Sequence, residues 1–179
     1  MGREIKTMAK KTKLQSLHTE IQSSDRNKVY KALKDLRKHG TRDSIPLLID
    51  MIVNTDEPML YDEAIKILND LKDKESTELI VEAIQKPGNE AEIITLLQVI
   101  WQAGLKVDKH LRFLADTALK GDTMVAFECL TIIQHMEDAI EDEEVFDIIA
   151  DLREAVLRKH ENEQIIEMII QELNERVIG

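Results

Sequence analysis

Five histidines and one cysteine are the side chains best equipped here for nucleophilic, acid–base or metal chemistry, and their spacing favours none of these. His18, His39, His110, His135 and His160 lie near expected helix ends or on separate elements, with no His-Glu-x-x-His pair and no second cysteine to complete a thiolate site. His39 and His160 sit near expected helix C-termini, where positive charge is favoured. Cys129 occupies an apolar position and reads as a buried small hydrophobe rather than a nucleophile. No glycine-rich phosphate cradle, nucleophile elbow or thiol–histidine signature is present. Carboxylates are plentiful, but a run of them does not supply the raised pKa that a general acid needs. The expectation is therefore no catalytic residue, no cofactor and no metal, with enzymatic activity left open.

The carboxylates matter more as a field. The chain of 179 residues carries a formal charge of −11. Residues 1–13 hold five basic and one acidic side chain, whereas residues 137–179 hold four basic and fourteen acidic. Such a body does not suit a broad phosphate-backbone surface, so nucleic acid is not the expected partner. Glu137 to Asp151 contains eight carboxylates and no lysine or arginine. Glu141, Asp142, Glu143 and Glu144 are its centre, and the segment is expected to form a negative patch attractive to a basic protein segment. Its order lacks the glycine-centred pattern of an EF-hand. The first thirteen residues read as a basic flexible tail.

These groups must be positioned by helices. Ala32, Leu33 and Leu36 in the segment ending at Gly40 recur thirty-two residues later as Ala64, Ile65 and Leu68, then as Leu96, Leu97 and Ile100, then around Cys129 and Ile132. These spacings follow one side of a 3.6-residue helix. Ser44, Leu47, Leu48 and Ile52 likewise match Ser76, Leu79, Ile80 and Ile84. A helix with one apolar stripe needs a neighbour, and a repeated one implies stacking on its own copies. Residues 14–179 are therefore expected to form one all-α domain, a right-handed superhelix of four helix pairs with a further helix at each end. The predicted helices are 12–22, 26–39, 44–53, 57–71, 76–85, 89–103, 108–119, 123–137, 144–158 and 162–176. Ser24 or Asp25, Ser44, Asn89 and Asn162 are expected caps, Asp108 begins its helix, and Gly40 and Gly104 are expected stops. Leu111, Leu114 and Ala115 align best with Phe146, Ile149 and Ala150, so the period lengthens to thirty-five near residue 140.

A second apolar stripe separates the third and fourth units from the first two. Tyr30, Lys34 and Arg37, then Asp62, Lys66 and Asn69, give way to Ile94, Gln98 and Trp101, then Ala126, Leu130 and Ile133. Val99 replaces the Asp35 of the first unit. Such a stripe is either covered inside the monomer or exposed to a partner. Ile94, Val99, Trp101, Leu130 and Ile133 are the expected protein-binding or self-association residues, with Trp101 as anchor.

The outer pattern Ala-Leu-x-x-Leu-x-x-x-Gly and the inner Ser-Ile-Pro-Leu-Leu-Ile-Asp-Met-Ile resemble bacterial HEAT or HEAT-like repeats over about residues 25–158. Lys72 stands where the pattern has glycine, and the fourth unit has a longer turn. The resemblance implies an armadillo-type α-solenoid. Its members include scaffolds and adaptors, chromophore-attaching lyases and helical-repeat DNA glycosylases, so it does not select one activity. The expected role is a non-enzymatic protein-interaction module or scaffold. The alternatives are a lyase or its accessory subunit, and a nucleic-acid-binding repeat. A single cysteine, no secretory h-region and no apolar run of membrane-spanning length lead to a cytoplasmic, non-membrane expectation.

Overall fold

The computed structural model describes residues 2–39, 41–70, 75–86, 88–136 and 142–177, with side chains from residue 12 onward apart from those at 75, 108, 142–144 and 177. Among these residues every regular element is helical: α1 (Gly2–Ile21), α2 (Arg26–His39), α3 (Ile45–Asn54), α4 (Pro58–Asn69), α5 (Glu75–Ile84), α6 (Glu90–Gln102), α7 (Leu111–Lys120), α8 (Thr123–Gln134), α9 (Asp142–Leu157) and α10 (Glu163–Val177). Short 3-10 turns, Arg42–Ser44 and Asp108–His110, lead into α3 and α7. The all-α, strand-free character expected from the periodicity is present, in keeping with helical-repeat proteins in general. The chain divides into two compact units, Met1–Ala83 and Ile84–Gly179.

The first unit begins with a helix longer than expected. Helix α1 is continuous from Gly2, so the predicted helix over 12–22 is the end of a longer one. Residues 3–13 contain no proline or glycine and include several good helix formers, so nothing local stops the helix propagating backwards from its packed end at Leu17 and Ile21. Ser44 does not cap α3 through its side chain. Its hydroxyl instead pairs with His18 Nε2 at 3.0 Å, tying α1 to the start of α3. Leu33, Leu36, Leu48, Ala64 and Leu68 are buried as the apolar periodicity predicts, whereas Ile65 is only half-buried. Arg26–Glu57 and Arg37–Asp70 join α2 to the two ends of α4 at 2.5 and 2.6 Å. Both pairs are largely solvent-facing and so contribute little stability. Gly40 and Lys72 lie outside the described residues.

The second unit is organised around α8. Its sequence, Thr-Met-Val-Ala-Phe-Glu-Cys-Leu-Thr-Ile-Ile-Gln, is apolar almost all round, the pattern of a helix covered on several sides. Helices α6, α7 and α10 pack on it. Gly121 and Asp122 alone connect α7 to α8, which makes the two antiparallel neighbours. A Cβ at Gly121 would overlap the buried Val125 side chain, so this turn requires glycine for space. Asp122 caps α8 by accepting from Val125 N at 2.8 Å. Asn89 caps α6 as expected, accepting from Glu92 N at 3.0 Å. Gly104, at φ +63°, ends α6, with Leu105 N donating to Ile100 O at 2.9 Å.

Helix α10 grips both ends of α8. Asn162, 3% exposed, donates to Gly121 O at 2.9 Å and accepts from the Thr123 hydroxyl at 3.1 Å. At the other end Arg176 donates to Gln134 O at 3.0 Å and to Met136 O. Carbonyls near the ends of α7 and α8, which have no partner within their own helices, are satisfied this way. Anchors at both ends also make α8 and α10 parallel. The expected cap at Asn162 thus serves neighbouring helices through its side chain. His160 is held similarly: Nε2 bonds Leu119 O at 2.9 Å and Nδ1 accepts from Asn162 N at 3.1 Å.

The predicted period of thirty-five is also corrected. Leu111, Leu114, Ala115 and Ala118 are the buried residues of α7, and Val145, Ile148, Ile149 and Leu152 those of α9. They lie thirty-four residues apart. The shift by one turns Phe146, placed by sequence in the core, outward to 58% exposure. Residues 137–141 lie outside the described set.

Candidate protein-interaction surface

Trp101 is a partner in a polar knot between α6 and α8. Gln98 and Trp101 lie one turn apart on α6 and reach the same residue of α8, Glu128. Gln98 Nε2 donates to Glu128 Oε1 at 2.8 Å, and Trp101 Nε1 donates to Oε2 at 3.0 Å. Glu128 is 6% exposed, and no cation pairs with it among the described residues. Both carboxylate oxygens nonetheless have a donor, which burial of such a group demands. The His135 ring lies against Trp101, centroids 5.9 Å apart, while its Nδ1 meets Thr131 O at 2.7 Å. Glu128 escaped the sequence reading, although it is the only charged residue in α8 and stands at the position of the buried Leu96. A lone charge in an apolar helix is the signal that would have found it.

Of the expected interface residues, Val99, Leu130 and Ile133 are buried, Ile94 and Trp101 half-buried. The α8 part of the second apolar stripe is covered within the unit, where α8 packs against both α6 and α10, while Ile94 and Trp101 keep part of their surface. Val99, Leu130 and Ile133 therefore offer no surface. Glu141 lies outside the described residues. Asp142, Glu143 and Glu144 form the start of α9, with their side chains outside the description. Cys129 is fully buried, and desolvation, reinforced by the neighbouring Glu128 charge, pushes its thiol far above the ordinary value. Such a thiol is not a nucleophile at neutral pH.

The exposed apolar groups are others. Met124 and Phe127 lie one turn apart on α8, 52% and 50% exposed. Phe146 and Leu157 stand out on α9, and Met168 on α10. A lone exposed apolar residue is ordinary; Met124 and Phe127, adjacent on one helix face, are a pair suited to contact. The sequence hid them because Phe127 and Phe146 lie next to core positions, and a one-residue shift turns a helical side chain by about 100°, enough to carry it off the buried face.

An open groove of about 420 Å³ lies in the same unit, between the start of α6 and one face of α7. Ile93, Phe113 and the buried Val125 supply apolar lining, and Glu90, Asp116 and Lys120 supply charge. No group of His, Cys, Asp and Glu able to hold a metal ion occurs among the described residues. No described helix is long and apolar enough to cross a membrane. No protein-family model, curated protein or solved structure matches the chain.

Proposed function

We propose that this protein is a non-enzymatic interaction module of the HEAT-like helical-repeat kind, with right-handed stacking of its helix pairs. The observation that carries the reading is the exposed pair Met124 and Phe127 on a helix whose other sides are already packed. Large apolar groups gain most from burial on association, at about 25 cal/mol per Å² removed from water. The 32-residue recurrence supports the repeat family, and the acidic balance supports a partner with a basic segment.

A photo-crosslinking amino acid placed in turn at positions 124 and 127 tests it in the source cells. The expected result is one discrete crosslinked protein common to both positions and lost when Phe127 is replaced by serine in the crosslinker-124 protein. Crosslinking to no protein, or an unchanged pattern with the Phe127→Ser protein still folded, overturns the assignment. A crosslink to a second copy of this chain would make the surface a self-association face.

A further inference from the structure

The face of α7 that lines the groove is made of Phe113, Asp116, Thr117 and Lys120. These positions follow the helical steps of three, four and seven and so share one side. Seven residues at 1.5 Å each span about 10 Å, the length of roughly three residues of extended chain. Along that line the chemistry changes in order: an aromatic ring, a carboxylate, then an ammonium group. Glu90 adds a second carboxylate from the first turn of α6, and Ile93 one turn on adds apolar lining.

Neither Glu90 nor Asp116 makes an ion pair among the described residues, including with Lys120 four residues after Asp116. The Glu90 charge is partly balanced by the N-terminal end of α6. Asp116 lies within α7 and has no such compensation. Thr117 already donates its hydroxyl to Phe113 O at 2.7 Å. The unmatched functionality is thus an apolar recess beside an unpaired carboxylate, bounded by a cation.

We propose that this groove binds a short extended protein segment in which an apolar side chain precedes a single lysine or arginine. The apolar group lies on Phe113 and Ile93, and the cation lies between Asp116 and Glu90. Lys120 repels a second positive charge at the next position, so the groove selects one basic residue followed by a neutral or acidic one rather than a polybasic run. The assignment rests on the interaction-module reading but uses a surface separate from Met124 and Phe127, so each is decided by its own experiment.

The test is a two-dimensional amide NMR titration of the full chain with the peptide acetyl-Gly-Leu-Arg-Glu-Gly-amide. Controls carry Gln in place of Arg, or Arg in place of Glu. The expected result is saturable shifts confined to residues around 88–93 and 113–121. Replacing Arg by Gln, or Asp116 by Asn in a protein with an otherwise unchanged spectrum, should weaken binding by about ten-fold, equivalent to about 1.4 kcal/mol. Lys120→Glu should reverse the preference and favour the dibasic control. Equal binding of the Arg and Gln peptides, shifts outside the groove, or unchanged affinity in Asp116→Asn would overturn the proposal. If these hold while crosslinking at 127 fails, the groove stands and the α8 surface falls; the reverse result removes the groove alone.

Discussion

Glu128 shows how one buried carboxylate can commit the polar groups of a neighbouring helix. Trp101 would be a natural interface anchor if its indole N–H were free, but that N–H is committed to the buried carboxylate. Replacing Glu128 by Ala leaves two donors without their acceptor and a small void between α6 and α8. The expected cost is about 1–3 kcal/mol, read by urea denaturation followed through the fluorescence of Trp101, the only tryptophan. A loss below about 0.5 kcal/mol would mean water replaces the carboxylate without penalty. Cys129, next in sequence, makes a separate test by pH. Its folded pKa lies above the ordinary 9.0, so the unfolded thiol loses its proton first. Its contribution is complete below about pH 9 and declines at higher pH, by about 1.4 kcal/mol per unit while the folded thiol stays protonated. Cys129→Ala should lose stability less steeply between pH 9 and 11; parallel slopes would show that the folded thiol ionises as readily as the unfolded one.

At the scale of elements, the packing of α8 depends on its termini as much as on its apolar faces. Asn162 and Arg176 come from opposite ends of α10 and bond backbone groups at opposite ends of α8. Asn162→Ala should destabilise the protein by about 1–3 kcal/mol, since it strands Gly121 O and the Thr123 hydroxyl together. Hydrogen exchange should then accelerate first in amides of the α7–α8 and α9–α10 turns. Uniform acceleration throughout the second unit would indicate that α10 is held by its apolar face alone. The one-residue correction in α9 belongs to this scale as well. Matching by residue type favoured Phe146 in the place of Leu111, whereas packing placed Val145 there and left Phe146 outside.

For the whole molecule, charge sets encounter rather than fold. A body at −11 should collect a lysine-rich probe peptide faster at low ionic strength, and the basic arm of residues 1–13 does not cancel the acidic segment 137–179. Stopped-flow association with such a peptide is expected to slow about ten-fold or more from low to high salt. Neutralising Glu141, Asp142, Glu143 and Glu144 should remove a large part of that dependence. Rates insensitive to both changes would eliminate the acidic segment as a steering surface.

The amino-acid sequence by itself determined the helical class and most helix boundaries, because apolar periodicity and turn residues act locally. The starts at Arg26, the cap at Asn89 and the stop at Gly104 are legible for that reason. Which apolar stripe faces a neighbour is a different matter. Val99, Leu130 and Ile133 became core because α6, α8 and α10 lie side by side, and nothing in their own segments distinguishes that burial from an exposed interface. The Glu128 knot and the Asn162 staple pair residues 27 to 44 positions apart. The groove likewise requires α6 and α7 to be held at one spacing before Glu90 and Asp116 can share an opening. Only tertiary structure decides such contacts, since they arise where the backbone brings separate helices together.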